Sequence, residues 1–316
     1  MQRIIVMTIA WALGFGSSVL YAQTWRMPDE SERCPSKWGA GDERGSFNWM
    51  KPDTVLRATR LIRTGEVFEL AQVLSPDPNE MFTNTGRGLN VVVKNTQPIP
   101  DTRAGNEELV VTELGQIGTQ FDGFAHQMWG DNFYNCFKLA DIASRTGFKK
   151  LGLENIGTLM TRGVLIDVAG LKGVETLPDT YAITPEDLQQ ALAREKLTLQ
   201  PGDAILIYTG WGRLLGEDNA RYGRTSPGVT VAAGEWLAQQ DPMLIGADNC
   251  CIEARASTQS LNEIHAILLI QYGIHLVENM KLAALAEASA YEFAFIVQPL
   301  KLKGGTGSTV VPVAIR

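Results

Sequence analysis

Any imidazole chemistry in this 316-residue chain must use His126, His265 or His275. His126 closes the segment Gln116-Ile-Gly-Thr-Gln120-Phe-Asp122-Gly-Phe-Ala-His126. Side chains of an extended chain alternate between two faces, so Gln116, Gln120 and Asp122 share one. That face carries two amides and a carboxylate. Gly118 and Gly123 permit bends or a close backbone approach. His126 follows Asp122 by four residues and can curl back beside it. Such a cluster suits proton transfer and cation binding, although the same pattern also fits an exposed sheet edge.

The second group pairs His265 with Glu278. His265 lies in Ser-Leu-Asn-Glu-Ile-His-Ala-Ile-Leu-Leu-Ile-Gln-Tyr, a helical segment apolar almost all round and therefore expected to be buried. Alone it reads as a core histidine bonded to a backbone carbonyl. Glu278 follows an apolar stretch, and a carboxylate there needs a partner because a lone buried charge is costly. His265 and Glu278 satisfy each other, or both face a metal together with Asp122. His275 lacks another polar companion and reads as structural or surface.

These groups need a scaffold to hold them. Residues 23–60 read as an arm or a helix-loop entry. Strands are expected at 66–74, 89–94, 107–112 and 163–168. Thr184-Pro-Glu-Asp opens a helix, with Thr as N-cap, Pro in the first turn and acids at the positive end of the dipole. A turn at Pro201-Gly-Asp leads into a strand at 204–208. A helix from Thr230 precedes a strand at 243–246. Ser260 and Glu263 form a capping box for a helix ending near Tyr272. A helix at 281–288 and strands at 293–300 and 309–315 complete the chain. Gly304–Ser308 reads as the turn between those last two strands. Strands and helices interleave to the end without a repeat or a low-complexity linker, which predicts an α/β domain over 61–316.

Composition excludes several classes. Net charge is −7, the apolar fraction is 45% and the charged fraction is 20%. These are globular values, and the acidic balance argues against nucleic acid or an anionic membrane as the main partner. Residues 1–22 read as a secretory signal, with Arg3 in the n-region, an apolar run broken by Gly and Ser, and Ala22 suited to cleavage. The expected location is therefore periplasmic or secreted. Export permits disulfides. Cys34 can bridge to Cys136, Cys250 or Cys251, and no C-x-x-C pair supports a cysteine zinc site. The G-x-S-x-G, P-loop, G-x-G-x-x-G and H-E-x-x-H motifs are all absent.

The order of these segments resembles the cyclase family that includes bacterial kynurenine formamidase and isatin hydrolase. Its signature, H-x-G-T-H-x-D-x-x-x-H, is matched as Q-x-G-T-Q-x-D-x-x-x-H from Gln116 to His126. The resemblance continues through Arg162–Asp167, Pro201–Trp211, Gly246–Asn249, His265 to Asn279, and Gly304 onward. It implies a swivelling β/β/α fold with a mixed sheet and flanking helices, and hydrolysis assisted by Zn or Mn. It also implies a small-molecule substrate and a homo-oligomer. Carried over by position, Asp122, His265 and Glu278 are the metal ligands and His126 is the general base and acid.

Two signature histidines are replaced by Gln116 and Gln120. An amide oxygen is a poor substitute for imidazole on zinc. The metal is then a harder one, or a single ion held by Asp122, His265 and Glu278, or absent. The second reading is adopted, with Gln116 and Gln120 touching water, substrate or a developing oxyanion. The expected activity is hydrolysis of a small formamide, cyclic amide or lactone. The alternatives are an exported binding protein on the same scaffold and a Cys136 nucleophile paired with His126.

Overall fold

Short runs of β-branched and aliphatic residues, buried on both faces, build the centre of the molecule. The computed structural model describes residues 25–81, 87–95, 97, 103–255 and 263–316. Its strands are β1 (Val67–Glu69), β2 (Leu89–Val93), β3 (Glu108–Thr112), β4 (Gln120–Asp122), β5 (Leu159–Asp167), β6 (Ala182–Ile183) and β7 (Ala204–Tyr208). They continue with β8 (Gly228–Val229), β9 (Leu244–Ala247), β10 (His275–Glu278), β11 (Glu292–Val297), β12 (Gly307–Thr309) and β13 (Val313–Ile315). Among the described residues nine of them form one mixed sheet in the order β1-β13-β11-β5-β7-β9-β10-β4-β12. The parallel centre runs β5-β7-β9-β10, β11 and β4 flank it antiparallel, and each strand further out is antiparallel to its inner neighbour. The expected α/β class with a mixed sheet and flanking helices is the observed one.

The parallel strands read as continuous apolar runs because helices and loops cover both faces. Ala204–Tyr208 and Leu244–Ala247 are buried at every position. Thr184 caps the helix Pro185–Glu195 in a reciprocal capping box with Asp187, and Thr230 caps Val231–Gln239. The caps satisfy orphan amides at both helix starts, so these two boundaries follow directly from local chemistry.

Several elements differ from expectation. The segment 66–74 is paired only over β1, and the last predicted strand divides into β12 and β13 on either side of Pro312, which has no amide to donate. Lys281–Ala288 shortens to a helix at Ala283–Glu287. Strand β10 had no counterpart in the sequence reading. Gly304 takes φ +65° in the turn before β12, and its amide donates to Glu154 Oε2. The signal segment 1–22 and the Ser260 cap lie outside the described residues. No helix among the described residues is long and apolar enough to cross a membrane.

Cys34 pairs with Cys136 in a disulfide that joins the N-terminal arm to the loop after β4. Cys136 therefore has no free thiol, which removes the Cys136 nucleophile. His275 is structural: it is fully buried, stacked on Phe124 at 3.9 Å and edge-on to Phe47. Burial pushes its pKa down to about 3, so the ring is neutral.

Candidate active site

The site forms where β4 meets β10. Gln120 lies directly opposite Glu278 in this antiparallel pair, and Leu276 lies opposite Asp122. Opposite residues share a face, so the period of two places Gln120, Asp122 and Glu278 together. Gln120 Nε2 donates to Glu278 Oε2 at 2.9 Å. The loop before β4 is tied to the end of β10: Thr119 donates to the Asn279 carbonyl at 2.7 Å, and Asn279 Nδ2 donates to the Gly118 carbonyl at 3.0 Å. Gly118 takes φ +60°, which bends the chain so that Gln116 leaves the strand. Its amide still returns to Asp122 Oδ1 at 3.2 Å.

A close turn after β4 delivers His126. A Cβ on Gly123 would stand 2.8 Å from the Thr306 carbonyl oxygen, so only glycine fits there. The His126 amide donates to the Gly123 carbonyl at 3.0 Å. The ring Nε2 then lies 3.9 Å from Asp122 Oδ2. Gln116 Nε2 is 3.3 Å from His126 Nδ1, and Gln127 Nε2 is 3.3 Å from His126 Nε2.

His265 arrives from the far side, at the junction between the helical turn Glu263–His265 and a π-helix at Ala266–Tyr272. π-Helical segments recur at functional sites because the wider turn re-aims side chains. Its Nε2 is 3.1 Å from Glu278 Oε1 and 3.6 Å from Asp122 Oδ2, while Nδ1 is 3.2 Å from Glu253 Oε2. Glu253 follows β9 and is held beside β8 by an isolated parallel bridge to Val229.

Three buried carboxylates surround one imidazole. Burial opposes the charge on His265, yet Glu253, Asp122 and Glu278 outweigh it and raise the pKa well above the usual histidine value. Burial also opposes charge on Asp122, but His126, His265 and the Gln116 amide hold its carboxyl below the usual range. Burial and the neighbouring Asp122 charge push Glu278 up to about 8. Burial lowers the His126 pKa, with help from His265 and Arg87 and against the Asp122 charge, and the net shift favours the neutral ring.

The arrangement fits a divalent cation. Asp122 Oδ2 and Glu253 Oε1 are buried without a hydrogen-bond partner, and Glu278 Oε1 meets only His265 Nε2 at 3.1 Å. Donor atoms of Asp122, His126 and His265 all lie within 4.8 Å of one another. Ligands in a tetrahedral shell with bonds of ~2.0–2.2 Å stand ~3.3–3.6 Å apart, close to the separations found here. Glu278 extends this group through its contact with His265. Every candidate site residue named from the sequence is thus brought to one place. The two glutamine amides are engaged with carboxylates rather than held open.

Comparisons with known proteins give the family and the fold. The Cyclase family model ("Putative cyclase") matches residues 59–254. A crystal structure of a novel cyclase shares 32% identity at TM-score 0.80, covering 89% of this chain and 98% of its own. The chain belongs to the cyclase family. Isatin hydrolase A from Labrenzia aggregata, bound to benzyl benzoate, has a similar fold, with 20% identity, TM-score 0.59, and coverage of 81% of this chain and 94% of its own. A "predicted metal-dependent hydrolase" from Bacillus stearothermophilus is similar at 17% identity and TM-score 0.53, covering 80% and 98%. No curated protein matches the sequence significantly.

Glu253 escaped the sequence reading. It follows Cys250-Cys251-Ile252, and a carboxylate after three apolar residues is itself a sign of a buried, partnered charge.

Proposed function

We propose that this protein is an exported hydrolase that opens a small formamide, cyclic amide or lactone with water. The observation that carries the reading is the convergence of Asp122, His126, His265 and Glu278 at one buried place, where Asp122 Oδ2 has no hydrogen-bond partner. Membership of the cyclase family supports hydrolysis, and the similarity to isatin hydrolase A supports a compact cyclic substrate. The Cys34–Cys136 disulfide supports an oxidising, extracytosolic location.

Asp122, His265 and Glu278 are the residues that would hold the ion. A divalent cation bound there supplies Lewis acidity to a carbonyl oxygen and acidifies water. Glu253 accepts the Nδ1 proton of His265 and leaves Nε2 facing the carboxylates, the usual arrangement for a ligating histidine. His126 is the proton carrier. Its side chain keeps 16% exposure while those of Asp122, His265 and Glu278 are nearly or fully buried, so a proton can pass between this ring and the substrate side. Being neutral, it takes a proton from the attacking water and returns it to the leaving nitrogen or oxygen. Gln116 orients Asp122 and lies against His126, while Gln120 orients Glu278.

The test joins elemental analysis of the purified protein to an activity panel of formamides, lactams and lactones. Turnover that chelation removes and Zn or Mn restores supports the reading. A metal-free protein with chelator-insensitive turnover removes the ion from it. Ligand affinity without turnover on any of the three classes replaces it with a binding protein.

A further inference from the structure

The N-terminal arm closes over a cavity that holds none of the candidate active-site residues. It encloses about 630 Å³, within the range of small-molecule pockets. Its floor is the entry to β9 and β10, at Pro242 and Ile274, and the end of the π-helix, at Gln271 and Tyr272. Glu278 stands at the other end of β10, about 13 Å from Ile274 along the strand. The Cys34–Cys136 disulfide pins the arm, and the Ser36 amide donates to Asn135 Oδ1 at 2.8 Å. Trp38 and Trp49 line the cavity and meet edge to face at 5.4 Å. Lys37 Nζ lies over both rings and is ion-paired to Asp241.

The polar groups of this wall are incompletely satisfied. Arg33 Nε, Trp38 Nε1, Trp49 Nε1 and Gln271 Oε1 are buried without a hydrogen-bond partner. Buried polar atoms are normally paired, so four such atoms around one cavity call for a ligand that supplies partners. Charge points the same way. Lys37 and Asp241 neutralise each other, and Glu32 Oε2 accepts from the Asp29 amide at 3.1 Å. Arg33 has no ion-pair partner among the described residues. Its Nη1 reaches only the disulfide sulfur of Cys34, a weak acceptor, at 3.8 Å. A half-buried guanidinium without an anion is costly. We propose that the cavity is a second small-molecule site, which takes an aromatic carboxylate bearing a hydroxyl or amino group. The carboxylate accepts from Arg33 in the two-pronged geometry that a guanidinium favours. The ring packs against the two indoles and Tyr272, whose faces and edges suit a planar partner. The hydroxyl or amino group donates to Gln271 Oε1. Arg33, Trp38, Trp49 and Gln271 are only half-buried, so each side chain can turn toward the ligand.

Titration with para-hydroxybenzoate, followed by the indole N–H signals in a proton–nitrogen NMR spectrum, tests the proposal without any turnover. Its result is therefore independent of the hydrolase reading. Trp38→Phe and Trp49→Phe assign the two signals. Both move in the wild type and saturate with a dissociation constant of ~1 mM or below. Para-hydroxybenzamide, of the same shape but neutral, binds at least about tenfold more weakly. Arg33→Gln weakens para-hydroxybenzoate by at least about the same factor, and the amide comparison carries the charge test on the wild type alone if this variant fails to fold. Gln271→Leu brings the affinity for para-hydroxybenzoate down to that for benzoate. Two signals that stay in place up to ~10 mM overturn the proposal. Movement of the Trp129 signal alone places the ligand beside His126 and overturns it too. Equal affinity for the carboxylate and the amide overturns the anionic class.

Discussion

Glu253 Oε2 lies 3.2 Å from Nδ1 of His265, on the side of the ring opposite Asp122 and Glu278. This contact fixes both the tautomer and the tilt of the imidazole. Glu253→Gln keeps the shape but offers an amide in place of the charge. Metal affinity is expected to fall about 10–100-fold, as for other outer partners of ligating histidines. Titration calorimetry with Zn or Mn measures it, and an unchanged dissociation constant removes the positioning role.

His126 is the one candidate group with both a neutral ring and solvent access. His126→Ala should lower kcat by about 10²–10⁴. The melting temperature should stay close to wild type, because the ring is not part of the packed core. Full activity in this variant would falsify the general-base assignment.

The disulfide between Cys34 and Cys136 closes a loop with a sequence separation of 102 residues. Cross-links of this span restrict the unfolded chain, and native ones typically contribute about 2–5 kcal/mol. Cys34→Ser with Cys136→Ser should lose that much in urea unfolding. A loss below about 1 kcal/mol means that the arm is held by packing instead.

Glu195 has a buried Oε2 without a partner, while its Oε1 accepts from the Asp167 amide at 3.1 Å. Burial, aided by the Asp167 charge, pushes its pKa up to about 7. The folded state then holds a proton that the unfolded state releases near pH 4.5. The favourable contribution is fully present below pH 4.5 and is lost as pH rises through 7. Glu195→Gln removes this dependence and still accepts the Asp167 hydrogen bond. The variant should match wild type at low pH and exceed its stability by about 1–3 kcal/mol above neutrality. Equal stability of the two proteins at both ends of the range contradicts the shift.

Local chemistry made much of the scaffold legible. Thr184 and Thr230 cap helices because a side-chain oxygen before an apolar period satisfies orphan amides wherever it occurs. The buried runs of β5, β7 and β9 need only their own composition. Asp122 and Gln120 were placed on one face by the period of two alone. The segment from His275 to Glu278 was harder, because a four-residue run buried on both faces has neither alternation nor a helical period to reveal it.

By itself, then, the sequence determined the α/β class and the family through the order of its motifs, and it singled out Gln116, Gln120, Asp122, His126, His265 and Glu278 as candidates for chemistry. Tertiary structure alone decided that Glu278 sits opposite Gln120, that Glu253 stands behind His265, and that Cys34 meets Cys136. Each is a contact between residues from about ten to more than 150 positions apart. Such contacts depend on strand register and loop closure, and no local propensity or periodicity encodes either of them.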